Sequence, residues 1–168
     1  PPAISLTVSA TSVLCNGQST GSITFNTFGG TAPLNYLITS TNPSISGIIP
    51  SISSTNTVIS NLPAGNYTVL ITDANGCTNS VVITINQPLA LVLTGVITNV
   101  LCKGTSTGAI TTTLTGGVGP YTYNWTPGGS INNLTGIPAG NYTLIVSDLN
   151  GCQLPAQTWT VTEPLLPV

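Results

Sequence analysis

Charge is what this sequence has least of. Its 168 residues include one Lys, three carboxylates and no His, Arg or Met, so 2% of the chain is charged, where a soluble domain ordinarily has about a quarter. Without His, imidazole acid–base chemistry and every His-based triad are excluded, and no catalytic residue is assigned. A single cation, Lys103, cannot neutralise a phosphate backbone, which excludes nucleic acid as a partner. Long apolar runs are missing too. None approaches the roughly 20 residues of a membrane span, and Pro1-Pro2-Ala3-Ile4-Ser5 has neither the basic n-region nor the apolar core of a signal peptide. No membrane insertion is expected, and the chain reads as a mature or excised segment. The formal net charge of -2 comes from Asp73, Asp148 and Glu163 against Lys103, and it identifies no partner.

Polarity is supplied by neutral groups: 29 Thr, 16 Ser and 16 Asn. With 40% hydrophobic residues the chain is the reverse of a disordered one, so it is expected to fold. A surface of hydroxyls and amides has little like-charge repulsion to keep copies apart. It suits glycan cover or contact with further copies of itself.

An internal repeat organises the sequence. Val13-Leu14-Cys15 recurs as Val100-Leu101-Cys102, Ser19-Thr20-Gly21 as Ser106-Thr107-Gly108, and Gly29-Gly30 with Pro33 as Gly116-Gly117 with Pro120, all shifted by 87 positions. Pro63-Ala64-Gly65-Asn66-Tyr67-Thr68 recurs as Pro138-Ala139-Gly140-Asn141-Tyr142-Thr143, and Asn75-Gly76-Cys77 as Asn150-Gly151-Cys152, shifted by 75. The first copy therefore holds a 12-residue excess, placed within 37–60. Gln87-Pro88-Leu89 and Glu163-Pro164-Leu165 close the two units on one phrase. The domains predicted are 1–88 and 89–168, the last residues beginning the next junction of a longer array.

The hydrophobic period is two. Tyr67, Val69 and Ile71 share one face, as do Val81, Ile83 and Ile85, and Ile110, Thr112 and Leu114. Such β-branched runs between Gly/Asn/Pro turns predict two tandem immunoglobulin-like antiparallel β-sandwiches, all-β with no significant helix. Asp73-Ala74-Asn75-Gly76 and Asp148-Leu149-Asn150-Gly151 read as hairpin turns in which the Asp bonds its own backbone. Tyr67 falls where such sandwiches place a corner tyrosine.

The order Cys-x-Gly, Gly-[Ser/Ala]-Ile, Gly-Gly, Pro-x-x-Tyr, Pro-Ala-Gly-Asn-Tyr-Thr, Asp-x-x-Gly-Cys, present in both halves, resembles the SprB repeat of very large cell-surface adhesins of gliding Bacteroidota. The resemblance implies an extracellular β-sandwich array, displayed on the cell surface or in filaments.

Two cysteines per unit are the strongest local signal. Pairing within units, Cys15 with Cys77 and Cys102 with Cys152, would stabilise each by about 4 kcal/mol in the chain-entropy model. A zinc site would want CxxC spacing or His, and only Lys103 stands beside a cysteine to lower a thiol pKa. Structural disulfides and an oxidising, extracellular compartment are therefore favoured. Asp73 and Asp148 are single carboxylates where calcium collects several, so no metal or cofactor is assigned.

Tyr121, Tyr123 and Trp125 lie on one strand face, either as core or as a stacking platform for a surface polysaccharide. Thr111, Thr113 and Thr115, and Thr158, Thr160 and Thr162, form Thr faces. Asn66, Asn124, Asn133 and Asn141 head N-x-Thr sequons and are candidate glycosylation sites. The function expected is a structural or adhesive segment of a secreted surface protein or filament, not an enzyme, whose partners are neighbouring repeats or copies of itself. The alternative is a carbohydrate-binding module built on the aromatic residues of the second repeat.

Overall fold

The structure, a computed structural model, describes residues 2–41, 44–49 and 56–165. The chain divides into two compact units, Pro1–Pro88 and Leu89–Val168. The first contains β1 (Ser5–Thr11), β2 (Gly21–Phe28), β3 (Asn35–Thr41), β4 (Ser44–Ile49), β5 (Asn56–Leu62), β6 (Gly65–Thr72) and β7 (Thr78–Ile85). The second contains β8 (Val92–Thr98), β9 (Gly108–Thr115), β10 (Thr122–Thr126), β11 (Leu134–Ile137), β12 (Gly140–Ser147) and β13 (Gln157–Val161). No helix occurs among the described residues.

Each unit is a sandwich of two antiparallel sheets. The orders are β1-β2-β5 against β4-β3-β6-β7 in the first, and β8-β9-β11 against β10-β12-β13 in the second. The period-two pattern explains why: on a pleated strand alternate side chains face opposite sides, so one apolar set per strand can be buried between the sheets. On β6 the buried set is Tyr67, Val69 and Ile71, and on β12 it is Tyr142, Leu144 and Val146. Ile23 and Phe25 of β2 meet Tyr36 and Ile38 of β3 in the first core, with the Phe25 and Tyr36 rings 4.8 Å apart. In the second core Ile110, Trp125 and Val161 join the β12 set. Each such side chain contributes about 1.5–3 kcal/mol by leaving water.

The 12-residue excess of the first unit coincides with β4, an additional edge strand that pairs with β3 from Tyr36↔Ile49 to Thr41↔Ser44 and has no counterpart in the second unit. The corner tyrosines are present in both. Tyr67 donates its hydroxyl to the Pro63 carbonyl at 2.7 Å, and Tyr142 to that of Pro138 at 2.9 Å. These bonds back to the residue four positions upstream pin the turn into β6 and β12, the device that marks immunoglobulin-like sandwiches.

Candidate functional site

The repeated motifs gather at the two ends of each sandwich. At the end where the chain enters the first unit, Asp73 closes the β6–β7 hairpin. Its Oδ1 accepts the amides of Asn75 and Cys77, both at 2.9 Å, and its Oδ2 accepts that of Thr31 at 3.0 Å. Asp148 repeats the arrangement with Asn150 and Cys152 on Oδ1 and Val118 on Oδ2. The Asx-turn role expected of both residues is thus observed, and it extends to a neighbouring loop that sequence spacing could not indicate. The amide of Thr31, with those of Cys77 and Asn75, holds the Asp73 carboxyl below the usual carboxylate range against the opposing pull of burial. For Asp148 burial pulls upward, but the amides of Val118, Cys152 and Asn150 outweigh it and the net direction is again down.

At the opposite end, where the chain leaves, a loop carrying Cys15 grips the exit segment. Val13 donates its amide to the Asn86 carbonyl, Gly17 to Gln87 Oε1 at 2.7 Å, and Asn16 Nδ2 to the Pro88 carbonyl at 2.9 Å. The second unit repeats the grip: Val100 donates to the Thr162 carbonyl and Gly104 to Glu163 Oε2 at 2.7 Å. Lys103 Nζ reaches the Leu165 carbonyl at 3.2 Å. The Gln87 and Glu163 clamps carry a role that sequence reasoning missed; the signal for it was the repeated Gln/Glu-Pro-Leu phrase, which by itself marks only a boundary. Thr20 and Thr107 brace the same loops by accepting the amides of Leu14 and Leu101, which accounts for the recurring Ser-Thr-Gly.

These placements correct the expected disulfides. Cys77 and Cys102 carry free, exposed thiols, so neither Cys15–Cys77 nor Cys102–Cys152 is formed. The reason is the strand between them. Cys77 adjoins the start of β7, whereas the Cys15 loop is bonded to the residues just beyond its end. Eight residues of strand separate those points by about 24 Å, and a disulfide requires Cα atoms within about 7 Å.

The aromatic strand belongs to the core. Trp125 is 2% exposed, its Nε1 donates to the Ile131 carbonyl at 2.9 Å, and its ring lies 5.5 Å from that of Trp159. An indole so enclosed offers no face to a sugar, so Trp125 leaves the proposed platform. Tyr121 and Tyr123 share its side of the strand and are half-buried. Tyr121 donates its hydroxyl to the Gly116 carbonyl at 2.7 Å, and burial raises the Tyr123 phenol above its ordinary value, with Tyr121 nearby adding to the effect.

Of the sequon residues, Asn66, Asn124 and Asn141 are exposed. Asn66 Oδ1 accepts the hydroxyl of its cross-strand partner Thr84 at 2.6 Å, and Asn141 that of Thr160 at 2.7 Å. Asn133 is half-buried, its Oδ1 holding the amide of Thr112 at 2.8 Å. The Thr faces on β9 and β13 are exposed. Among the described residues, no group of three or more His, Cys, Asp or Glu could hold a metal ion, and no helix is long and apolar enough to cross a membrane.

The SprB repeat model matches the sequence at residues 7–42 and again at 94–130. Each of the two units thus carries a segment similar to the SprB repeat. The matched segments span β1 to β3 in one repeat and β8 to β10 in the other, while the tyrosine corner and the Asp hairpin follow them. No curated protein matches the chain at a significant level. Among solved structures it is similar to the C-terminal 282-residue fragment of intimin, crystallised with the intimin-binding domain of the translocated intimin receptor. The two are 18% identical over 96% of this chain and 64% of that one, with a TM-score of 0.46. It is also similar to the mouse nectin-like molecule 4 ectodomain (10% identity, 97% and 66% coverage, TM-score 0.45) and to invasin, a bacterial integrin-binding protein (20%, 98% and 40%, TM-score 0.37). The chain thus spans less than two thirds of the intimin fragment and under half of invasin.

Proposed function

We propose that the chain is an adhesive, load-bearing segment of a cell-surface protein or extracellular filament, with no catalytic role. The observation that carries this reading is the repetition itself. Two units, each matched in part by the SprB repeat model, present the same equipment at the same ends, and what is duplicated is the architecture of entry and exit, not a cleft with converging chemical groups.

The surface supports association. None of the thirteen strands among the described residues contains a charged residue, and the edge strands β5, β7 and β8 expose Val58, Val82 and Val96, at 58%, 66% and 71% respectively. Natural sheets block edge-to-edge pairing with inward charges, Lys or Pro on edge strands. Here those devices are absent from the strands, so copies of the protein dock along their edges unless glycans cover them. The exposed Asn66, Asn124 and Asn141 and the Thr faces supply attachment points for such cover. Pro88 in the short junction stiffens the connection between repeats and favours a rod.

Antibody labelling of intact source cells, before and after protease shaving, tests the assignment. Labelling lost on shaving is the expected result. An epitope reached only after lysis overturns the surface role.

A further inference from the structure

In each unit the first and last strands belong to opposite sheets and run the same way. In the first unit Asn79, near the start of β7, donates its Nδ2 to the Ile4 carbonyl just before β1 at 3.0 Å. Val13, shortly after β1, donates its amide to the Asn86 carbonyl just after β7 at 2.8 Å. Start is bonded to start and end to end, so β1 and β7 are parallel. In the second unit the Trp159 indole of β13 packs on Gly95 of β8, and Val100 beyond β8 donates to the Thr162 carbonyl beyond β13 at 2.9 Å. The arrangement is again parallel.

Parallel placement fixes how tension acts within a unit. A pull along the chain draws the first strand towards the end where the chain enters and the last strand towards the end where it leaves. The two strands are driven past one another, and the bonds between them lie across the pull and resist together. An antiparallel hairpin pulled at its open ends gives way one bond at a time. The exit grip adds side-chain bonds to this seam: Gly17 to Gln87 Oε1 and Asn16 to the Pro88 carbonyl in the first unit, Gly104 to Glu163 Oε2 and the Thr162 amide to Asn99 Oδ1 in the second.

We infer that the seam between the first and last strands is a shear clamp that sets each unit's resistance to force, and that Gln87 and Glu163 are its latches. The two residues differ in charge and do the same thing: each offers one side-chain oxygen at 2.7 Å to a glycine amide. Those glycines, Gly17 and Gly104, hold φ of 77° and 78°, a conformation that favours glycine. The latch needs an oxygen and no charge. This deepens the load-bearing reading and rests on it only for the source of the tension.

The test is force-clamp pulling of the full chain from its termini under reducing conditions, so that no disulfide carries load; circular dichroism checks that each variant folds. The units release different lengths, 84 residues from Ile4 to Gln87 and 73 from Leu91 to Glu163, about 280–300 Å and about 240–260 Å at 3.3–3.6 Å per residue, so each unfolding step is assigned. Gln87→Ala is expected to speed unfolding of the first unit at constant force by about 2–13-fold, the usual contribution of one hydrogen bond, and Glu163→Ala to do the same in the second. Gln87→Glu and Glu163→Gln keep the oxygen at a water-exposed bond and should stay within about twofold of the parent. Tyr67→Phe and Tyr142→Phe remove a corner bond away from the seam; they should lower the melting temperature and leave the rate under force within about twofold of the parent. Rates unchanged in both alanine variants, or raised as much by the tyrosine variants, overturn the inference. Labelling of source cells only after lysis would remove the load-bearing reading and leave these rates as they are, so the two failures are distinguishable.

Discussion

Gly95 lies on the inward side of β8 beneath the Trp159 indole. A Cβ built there would fall 2.5 Å from Trp159 Cε2, 2.6 Å from Nε1 and 2.7 Å from Cζ2, all inside van der Waals contact. Strand propensity alone favours replacing this glycine, because Gly in an element interior costs about 0.5–1 kcal/mol relative to Ala. Sterics oppose it. The indole would have to tilt away from Gly95, but it is packed on Trp125 at 5.5 Å, and overpacking of this kind costs about 1–3 kcal/mol. Gly95→Ala is therefore expected to lower the melting temperature of the second repeat by about 4–24 °C, at 4–8 °C per kcal/mol for a domain this small. The assay is clean because both tryptophans of the chain, Trp125 and Trp159, lie in that repeat, so their fluorescence reports its unfolding alone.

The first repeat supplies the rescue. Position 95 corresponds to Val8 by the shift of 87, and Trp159, opposite Tyr142, corresponds to Ile83, opposite Tyr67. Val8 and Ile83 both pack against the first core. A small–large pair in one repeat thus replaces a medium–medium pair in the other. Gly95→Val combined with Trp159→Ile is expected to be more stable than Gly95→Val alone, with the remaining Trp125 reporting. An unchanged or raised melting temperature for Gly95→Ala, or no coupling in the double variant, would refute the packing argument.

Other outcomes follow from the same structure. Asp73 and Asp148 have folded-state pKa values below those of the unfolded chain, so their contribution is fully present above about pH 4 and lost as pH falls through the depressed folded values. With no His in the sequence, the melting temperature should be flat from about pH 5 to 8 and fall below about pH 4; Asp148→Asn should flatten that acid limb in the tryptophan-reported transition. Tyr142→Phe removes the corner bond to Pro138 and should cost about 1–2 kcal/mol in denaturant titration, with an unchanged m-value. Val82→Lys places a charge on the β7 edge and should reduce concentration-dependent association in sedimentation without lowering stability.

Much of this was legible in the sequence. Alternation at Tyr67, Val69 and Ile71 identifies a half-buried strand because burial between sheets selects every second residue, and the shifts of 87 and 75 locate the repeat and its excess. The Asp turns were legible because an Asx bond is local. The long-range partners were not: Thr31 and Val118 reach Asp73 and Asp148 through loop geometry, and Asn133 holds Thr112 across a strand pair. The cysteine pairing failed for a related reason. Sequence separation gives the size of a loop but not which end of a sandwich a residue occupies. That depends on strand direction, with Cys15 at the far end of β1 and Cys77 at the near end of β7. The aromatic strand was readable only to its face, which the core and a sugar platform share, and burial of Trp125 decides for the core.

Antibody labelling of intact source cells tests the surface-segment account most directly. Labelling of unbroken cells that is lost on protease shaving is the predicted result, and labelling that appears only after lysis would contradict it.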